Sequence, residues 1–274
     1  MQTDINLPAY FGRIGYAGPC QPTLAVLTDL HAKHPAKIPF EGLDPFLGRP
    51  VPIGYQSIQS KLVHQRRGGY CFEQNALFFG VLETIGFCTV PLAARVIWMS
   101  PGRSAPPAHR LTLVHLPEGD YLADVGFGGQ TYTAPLKLHT NAPQTTPHGV
   151  YRVVEDNGTL EIQMRLADRW EGMYRATPTP APQGDFEMAN WFTATHPKTR
   201  FVRNLVAARV AGASRLNLLN ATLSIHAPDG TRQQVLTSPE DLRNVLEQQM
   251  EIELPVSAEE IWSKLPAAEA PLWP

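Results

Sequence analysis

Residues 67–75 read Arg-Gly-Gly-Tyr-Cys-Phe-Glu-Gln-Asn. The two glycines permit a tight turn in backbone conformations that other residues resist. Directly after them Phe72, Ala76, Leu77, Val81, Leu82 and Ile85 recur at a helical period on one face, and Gly86 is a fitting stop. Cys71 is therefore expected at or near a helix N-terminus. Unpaired backbone N–H groups and the helix dipole favour a thiolate there, and the thiolate is the nucleophilic form. A free cysteine is more often a small buried apolar residue, but the glycine pair and the helix start tip the reading toward chemistry. Cys20, after a Gly-Pro turn, and Cys88, beside Phe87, lack that setting and read as inert.

A nucleophilic thiol needs a base, and the base needs a group to orient it. Of nine histidines, His109 opens a strand-like run on the same face as Leu111, Leu113 and His115. Asp124 sits in the next run between Ala123 and Val125. A lone carboxylate among apolar neighbours carries a desolvation penalty unless it is paired, and an imidazolium is the natural partner; a loop-capping role is the plainer alternative. A turn centred on Glu118-Gly119 sets Asp124 opposite Leu113. That is the face of His109, but ~13 Å along the strand at ~3.3 Å per residue. Contact then requires a slipped register, a bulge or strong twist. Gly126-Phe127-Gly128-Gly129 follows, and its glycines allow a ligand to approach the backbone closely. A zinc ion on Cys71, His109 and Asp124 would lack a fourth ligand and a locally spaced pair, so no metal is expected.

The elements that must hold these groups change character along the chain. The first ~85 residues read as helical, with Pro22–His34 and Gln56–His64 as further helices. Val90–Trp98, Arg110–Leu116, Tyr121–Phe127, Tyr151–Glu155 and Leu160–Leu166 are strand-like, and Asp156-Asn157-Gly158 is a hairpin signal. In the last third, Ser214–His226 and Gln233–Leu236 read as strands, and helices start at Ser238-Pro239 and Ser257. Prolines, 26 in 274 residues, cluster in 101–107, 143–147, 178–182 and at the C-terminus and punctuate these regions. With 43% hydrophobic and 18% charged residues the chain can bury a core. A net charge of −2 offers no basic patch for nucleic acid. No apolar run reaches the ~18 residues a membrane span needs, and the N-terminus lacks a basic start followed by an apolar stretch, so no secretory leader is expected. Three cysteines without a C-x-x-C pair argue against a disulfide framework. A soluble, cytoplasmic protein is the expectation.

Together the motifs closely resemble the arylamine N-acetyltransferases. Residues 67–75 match that family's R-G-G-x-C-x-E-x-N signature, and Asp124–Gly129 matches its D-V-G-F-G-G segment. Pro39–Asp44 is similar to P-F-E-N-L-D, Arg13–Tyr16 to its N-terminal R-I-x-Y/F stretch, and Asn190–Phe201 to N-x(4)-S-T-H-P-x-S-x-F. The departures are Gly42 where Asn is usual, and Thr195 and Thr199 where Ser is common. The resemblance implies an α+β multidomain fold: a helical bundle (1–88) carrying the nucleophile, a β-barrel (89–203) carrying His and Asp, and an α/β lid (204–274), around a Cys-His-Asp core of the papain or transglutaminase kind. It implies a Cys71–His109–Asp124 triad. It also implies a cleft for acceptor and CoA lined by residues such as Phe40, Trp98, Gly126, Phe127, Gly128 and Phe201. No permanently bound cofactor is implied; acetyl-CoA is the co-substrate, and arylamines, hydrazines or arylhydroxylamines are the acceptors, as in xenobiotic metabolism. A homodimer is left open.

The implied mechanism is ping-pong: Cys71 takes the acetyl group as a thioester and passes it to the amine, with His109 moving the protons. A cysteine hydrolase would use the same three groups and differ only in accepting water. A binding module with a dead site is disfavoured by the intact set.

Overall fold

The computed structural model describes residues 4–99 and 106–266. Of the proline-rich segment 101–107 only Pro106 and Pro107 are among them, and the prolines beyond Pro266 lie outside the described residues.

The N-terminal part is helical, as the periodicity predicts. Helix α1 (Leu7–Ile14) is capped by Asn6, whose Oδ1 accepts from Ala9 N at 3.0 Å, and stops at Gly15 in the left-handed region. Helices α2 (Leu24–Lys37), α3 (Leu43–Phe46) and α4 (Tyr55–Gln59) follow, and α4 continues as a wider turn over Ser60–His64. Helix α5 (Cys71–Ile85) begins at Cys71 and ends at Gly86, with φ 102. Its apolar residues were expected on one face. Instead every residue from Cys71 to Leu82 is buried, because α5 is surrounded on all sides. Each fully buried Leu or Phe there contributes about 1.5–3 kcal/mol. The polar Glu73, Gln74 and Asn75 must then find partners inside the protein.

An eight-stranded antiparallel sheet curls into a nearly closed barrel in the order β5-β4-β3-β2-β9-β8-β7-β6. Its strands are β2 (Cys88–Val96), β3 (His109–Leu116), β4 (Gly119–Ala123), β5 (Leu136–Lys137), β6 (Gln144–Thr146), β7 (Gly149–Asp156), β8 (Thr159–Leu166) and β9 (Arg169–Ala176). The β7–β8 turn at Asn157-Gly158 has both φ positive, the conformation this dipeptide favours. Strand β9 was not anticipated; Gly172 and the flanking charges dilute its alternation. A second sheet, in the order β1-β10-β11-β12-β13, joins β1 (Phe40–Glu41) from the helical part to β10 (Val206–Ala211), β11 (Ser214–Leu219), β12 (Thr222–Ala227) and β13 (Gly230–Val235). The single strand expected over Ser214–His226 is thus a hairpin. It turns at Asn220, which has φ 52, a conformation Asn tolerates. Helices α6 (Gln183–Thr195) and α7 (Arg200–Arg203) lie between the sheets in sequence, and α8 (Pro239–Arg243) and α9 (Ala258–Ser263) close the chain. Ser238 and Ser257 cap the last two as predicted.

Three hydrophobic clusters result. One surrounds α5 and includes Phe186 and Ala194 of α6. One fills the barrel around Leu92, Leu111, Leu122 and Ile162. One packs the second sheet on α8, the wider turn Asn244–Gln249 that continues it, and α9 through Leu218, Leu223, Leu242, Leu246 and Ile261. No helix among the described residues is long and apolar enough to cross a membrane.

Candidate active site

Cys71 is the first residue of α5 and is 5% exposed; its Sγ lies 3.7 Å from the Ala108 carbonyl oxygen. Cys20 and Cys88 are exposed thiols elsewhere. The turn that presents Cys71 needs its glycines. A Cβ on Gly68 would stand 2.1 Å from Pro39 O, and one on Gly69 would press on the Glu73 side chain. Tyr70 is extended at the N-cap. Glu73 reaches back to accept from its N–H at 3.2 Å, and the Tyr70 hydroxyl donates to Asn190 Oδ1 on α6.

Below this turn lies a buried charge network. Arg67 bonds Glu41 at 2.7 Å and Asp44 at 2.9 Å, and Lys61 bonds Asp44 and Glu73, each at 2.7 Å. Burial works against the Lys61 ammonium, but Glu73, Glu41 and Asp44 outweigh it and raise its pKa. For Glu73, burial dominates and pushes the carboxyl up despite Lys61. Two of the family-like motifs, residues 39–44 and 67–75, are thus joined through Arg67. Lys61 carried no signal in the sequence.

The next two side chains of α5 fasten the other walls. Gln74 Nε2 donates to Pro39 O at 2.7 Å and Gly69 O at 3.1 Å, which holds the Phe40 segment. Asn75 Nδ2 donates to Asp124 Oδ1 at 2.8 Å and to Arg110 O at 2.6 Å, while its Oδ1 accepts from Val125 N at 3.0 Å. These bonds explain why β4 stops at Ala123 and not at Phe127. Asp124 N donates to His31 Nε2 at 3.1 Å and Gly126 N to Asp124 Oδ1 at 2.9 Å, so three successive amides are satisfied by side chains and not by a neighbouring strand. His31 must be neutral to accept, and burial lowers its pKa to about 4.

His109 and Asp124 are in contact: Nε2 and Oδ2 are 2.7 Å apart, both groups buried. The register makes this possible. Leu116 pairs with Gly119, so the turn is Pro117-Glu118 and the strands are slipped two residues from the register expected. Asp124 therefore lies two residues nearer to His109. Burial opposes the imidazolium, but the Asp124 charge and hydrogen bond and the Cys71 side chain prevail and raise the His109 pKa to about 10. Burial alone would raise Asp124; His109, Asn75 and the Gly126 amide hold it below the usual carboxylate range. With Nε2 engaged by Asp124, Nδ1 remains for Cys71. Phe127 and Tyr174 pack on the imidazole ring, with centroids at 5.4 and 4.9 Å.

Cys71 and His109 open on a cavity of about 720 Å³. Phe40, Trp98, Gly126, Phe127 and Phe201 line it. Gly128 does not: its backbone, at φ +89, lies behind Phe40. Gly126 fits so tightly on α5 that a Cβ would stand 2.9 Å from Asn75 Nδ2 and 3.1 Å from Cys71 Cα. Sequence reasoning missed Thr193, Arg200 and Asn217 in the cavity wall.

A buried thiol, an imidazole and a carboxylate in sequence at the wall of an aromatic-lined cavity form the arrangement that thiol-based acyl transfer requires. Comparison with known proteins gives the family. An N-acetyltransferase family model matches residues 23–259. A curated arylamine N-acetyltransferase of Mycobacterium tuberculosis is 40% identical, covering 97% of this chain and 99% of its own. A Salmonella typhimurium protein named arylamine N-acetyltransferase / N-hydroxyarylamine O-acetyltransferase is 40% identical over 78% of this chain and 76% of its own. The solved Mycobacterium marinum arylamine N-acetyltransferase in complex with CoA superposes with a TM-score of 0.91 at 37% identity, covering 94% of this chain and 98% of that one. The chain belongs to the arylamine N-acetyltransferase family and is an acyltransferase acting on amines.

Proposed function

We propose that the protein transfers the acetyl group of acetyl-CoA to arylamines, hydrazines or arylhydroxylamines through an acetyl-Cys71 thioester. The observation that carries this reading is the chain of contacts at the cavity wall, Cys71 beside His109 and His109 Nε2 bonded to Asp124 at 2.7 Å. The CoA complex of the M. marinum relative supports the donor, and the names of the M. tuberculosis and S. typhimurium relatives support arylamine and arylhydroxylamine acceptors.

His109 holds the proton and Cys71 is the thiolate. The sulfur attacks the acetyl carbonyl carbon, and the first free N–H groups of α5 stabilise the oxyanion. The bond from that carbon to the CoA sulfur breaks, and the departing thiolate takes the proton from His109. The acceptor nitrogen then attacks the same carbonyl, His109 receives its proton, and the bond to Cys71 breaks. Asp124 holds the ring and stabilises its charge throughout. The aromatic walls stack the aryl group and limit water. We also propose the division 1–88, 89–203 and 204–274 into bundle, barrel and lid. Three hydrophobic clusters support it, although the first also takes in α6, Val114, Tyr121 and Ala123 of the barrel and Val206 and Ala208 of the lid, and the third takes in Leu43 and Phe46 of the bundle.

Intact mass spectrometry after mixing with acetyl-CoA and no acceptor tests the mechanism. Wild type should gain one acetyl group and Cys71→Ala none. Absence of the adduct in wild type would sink the thioester. Steady-state lines in donor and acceptor should be parallel; rapid loss of the adduct to water alone would point to a hydrolase.

A further inference from the structure

The chain carries 25 acidic and 23 basic residues, yet among the described residues no Asp or Glu lines the cavity, whereas Lys198 and Arg200 do. Nearby, Arg67 is held by two carboxylates and Arg110 stacks on Phe186 at 4.5 Å. Arg200 has no carboxylate partner among the described residues, and its Nε is buried with no acceptor. Burial alone holds its pKa below the ordinary guanidinium value. Arg200 is half-buried at the cavity wall, and a cation held partly out of water with no carboxylate beside it favours an anion brought by a ligand.

Two more polar atoms of the same wall are buried without a partner, Thr193 Oγ1 and Asn217 Oδ1. Thr193 and Arg200 both line the cavity, on either side of the loop between α6 and α7. There the Thr199 hydroxyl, at 2.9 Å from both Thr193 O and His196 O, folds the chain back on itself. The wall thus offers two donors, a guanidinium and a hydroxyl, beside the aromatic face of Phe201.

We propose that Arg200, assisted by Thr193, receives an oxyanion that a substrate carries into the cavity: the carboxylate of an anionic aryl acceptor or a phosphate of the donor. The proposal rests on the acetyl-transfer reading and assigns Arg200 a selectivity role in it. A planar guanidinium suits both oxyanions through paired N–H donors.

Two pairs of substrates separate the sources, in wild type, Arg200→Gln and Arg200→Met. The acceptor pair is 4-aminobenzoate and its neutral carboxamide; the donor pair is acetyl-CoA and a short neutral acetyl thioester. Loss of one charge-assisted hydrogen bond should lower the kcat/KM ratio of charged to neutral partner by about tenfold. A fall in the acceptor ratio identifies the carboxylate, and a fall in the donor ratio identifies the phosphate. Arg200→Met should also melt no lower than wild type without substrate, since the free protein loses no partner. Unchanged ratios in both pairs overturn the proposal. A lower Tm with all four substrates impaired in proportion also overturns it, because Arg200 would then be structural. Failure of the acetyl-transfer reading looks different: wild type would take no acetyl group on Cys71 from the neutral thioester.

Discussion

The cavity has a floor and a far wall of opposite character. In the floor, at the start of α5, the polar side chains are engaged: Glu73 with Lys61 and Tyr70 N, Gln74 with the carbonyls of Ile38, Pro39 and Gly69, Asn75 with the Asp124 segment. In the far wall, Arg200, Thr193 and Asn217 keep buried polar atoms with no partner among the described residues. The floor has its hydrogen bonds made before substrate arrives, which is how a site holds reacting groups in one geometry. The wall leaves its bonds to the ligand. Chemistry and recognition are thereby assigned to different segments, and each can be disturbed without the other.

The largest effect should come from the floor. Asp124→Asn removes the charge that holds the His109 imidazolium and offers an amide where a carboxylate accepts three bonds. By analogy with other triads, kcat should fall on the order of 10⁴-fold, with KM for the acceptor nearly unchanged. The same variant carries a pH signature. His109 titrates near 10 when folded, above the ~6.5 of an unfolded chain. Its contribution to stability is therefore complete below about pH 6.5 and is lost as pH rises through about 10. Wild-type melting temperature should drop across that window, and Asp124→Asn should flatten the drop. An equal decline in both proteins would show that His109 is not the titrating group.

Next in size is the charge network beneath the nucleophile. Lys61→Met strands Glu73, 2.7 Å from the ammonium in wild type, and leaves Asp44 with Arg67 alone. Leaving buried charges uncompensated costs about 3–5 kcal/mol. Thermal unfolding should reveal this, and the double variant Lys61→Met, Glu73→Gln should recover part of it. Because the network lies under the Cys71 turn, the rate of Cys71 acetylation should fall too. If stability drops while that rate is unaltered, the network supports the fold alone.

The two regions also differ in how much of them could be read from the chain. The floor is legible where the signal is local: two glycines, a cysteine, then a helical period with a glycine stop. Even there the reading broke at tertiary contacts. The strand bearing Asp124 looks continuous to Phe127, and only His31 and Asn75, 93 and 49 residues away, reveal why it stops at Ala123. The expected register failed because Glu118-Gly119 resembles a turn centre while Pro117-Glu118 is the turn. Lys61 reaches its partners across a fold that no spacing announces. The far wall was nearly unreadable. Thr193, Arg200 and Asn217 come from α6, α7 and β11, and Asn217 stands beside the Phe40 segment only through the sheet in which β11 pairs with β10 and β10 with β1.

The smallest expected effect concerns the one residue at which the Phe40 motif departs from its family pattern, and it sharpens the contrast between floor and wall. Gly42 has φ −115, which any residue adopts, so its backbone does not require glycine. Its neighbour does: a Cβ would stand 2.9 Å from Cδ1 of Phe201. The ring of Phe201 packs on Phe40 and Tyr70 and lines the cavity. Glycine thus lets that ring sit back. Gly42→Ala should move it a few tenths of an ångström into the acceptor space while leaving Cys71, His109 and Asp124 in place. The kcat/KM ratio of a bicyclic to a monocyclic arylamine should fall by less than about tenfold, equivalent to ~1.4 kcal/mol, with the rate of Cys71 acetylation by a small neutral thioester unaltered. A uniform loss across acceptors and in the acetylation step would mean that the Phe40 segment transmits the change to the floor, and the two regions would not be separable.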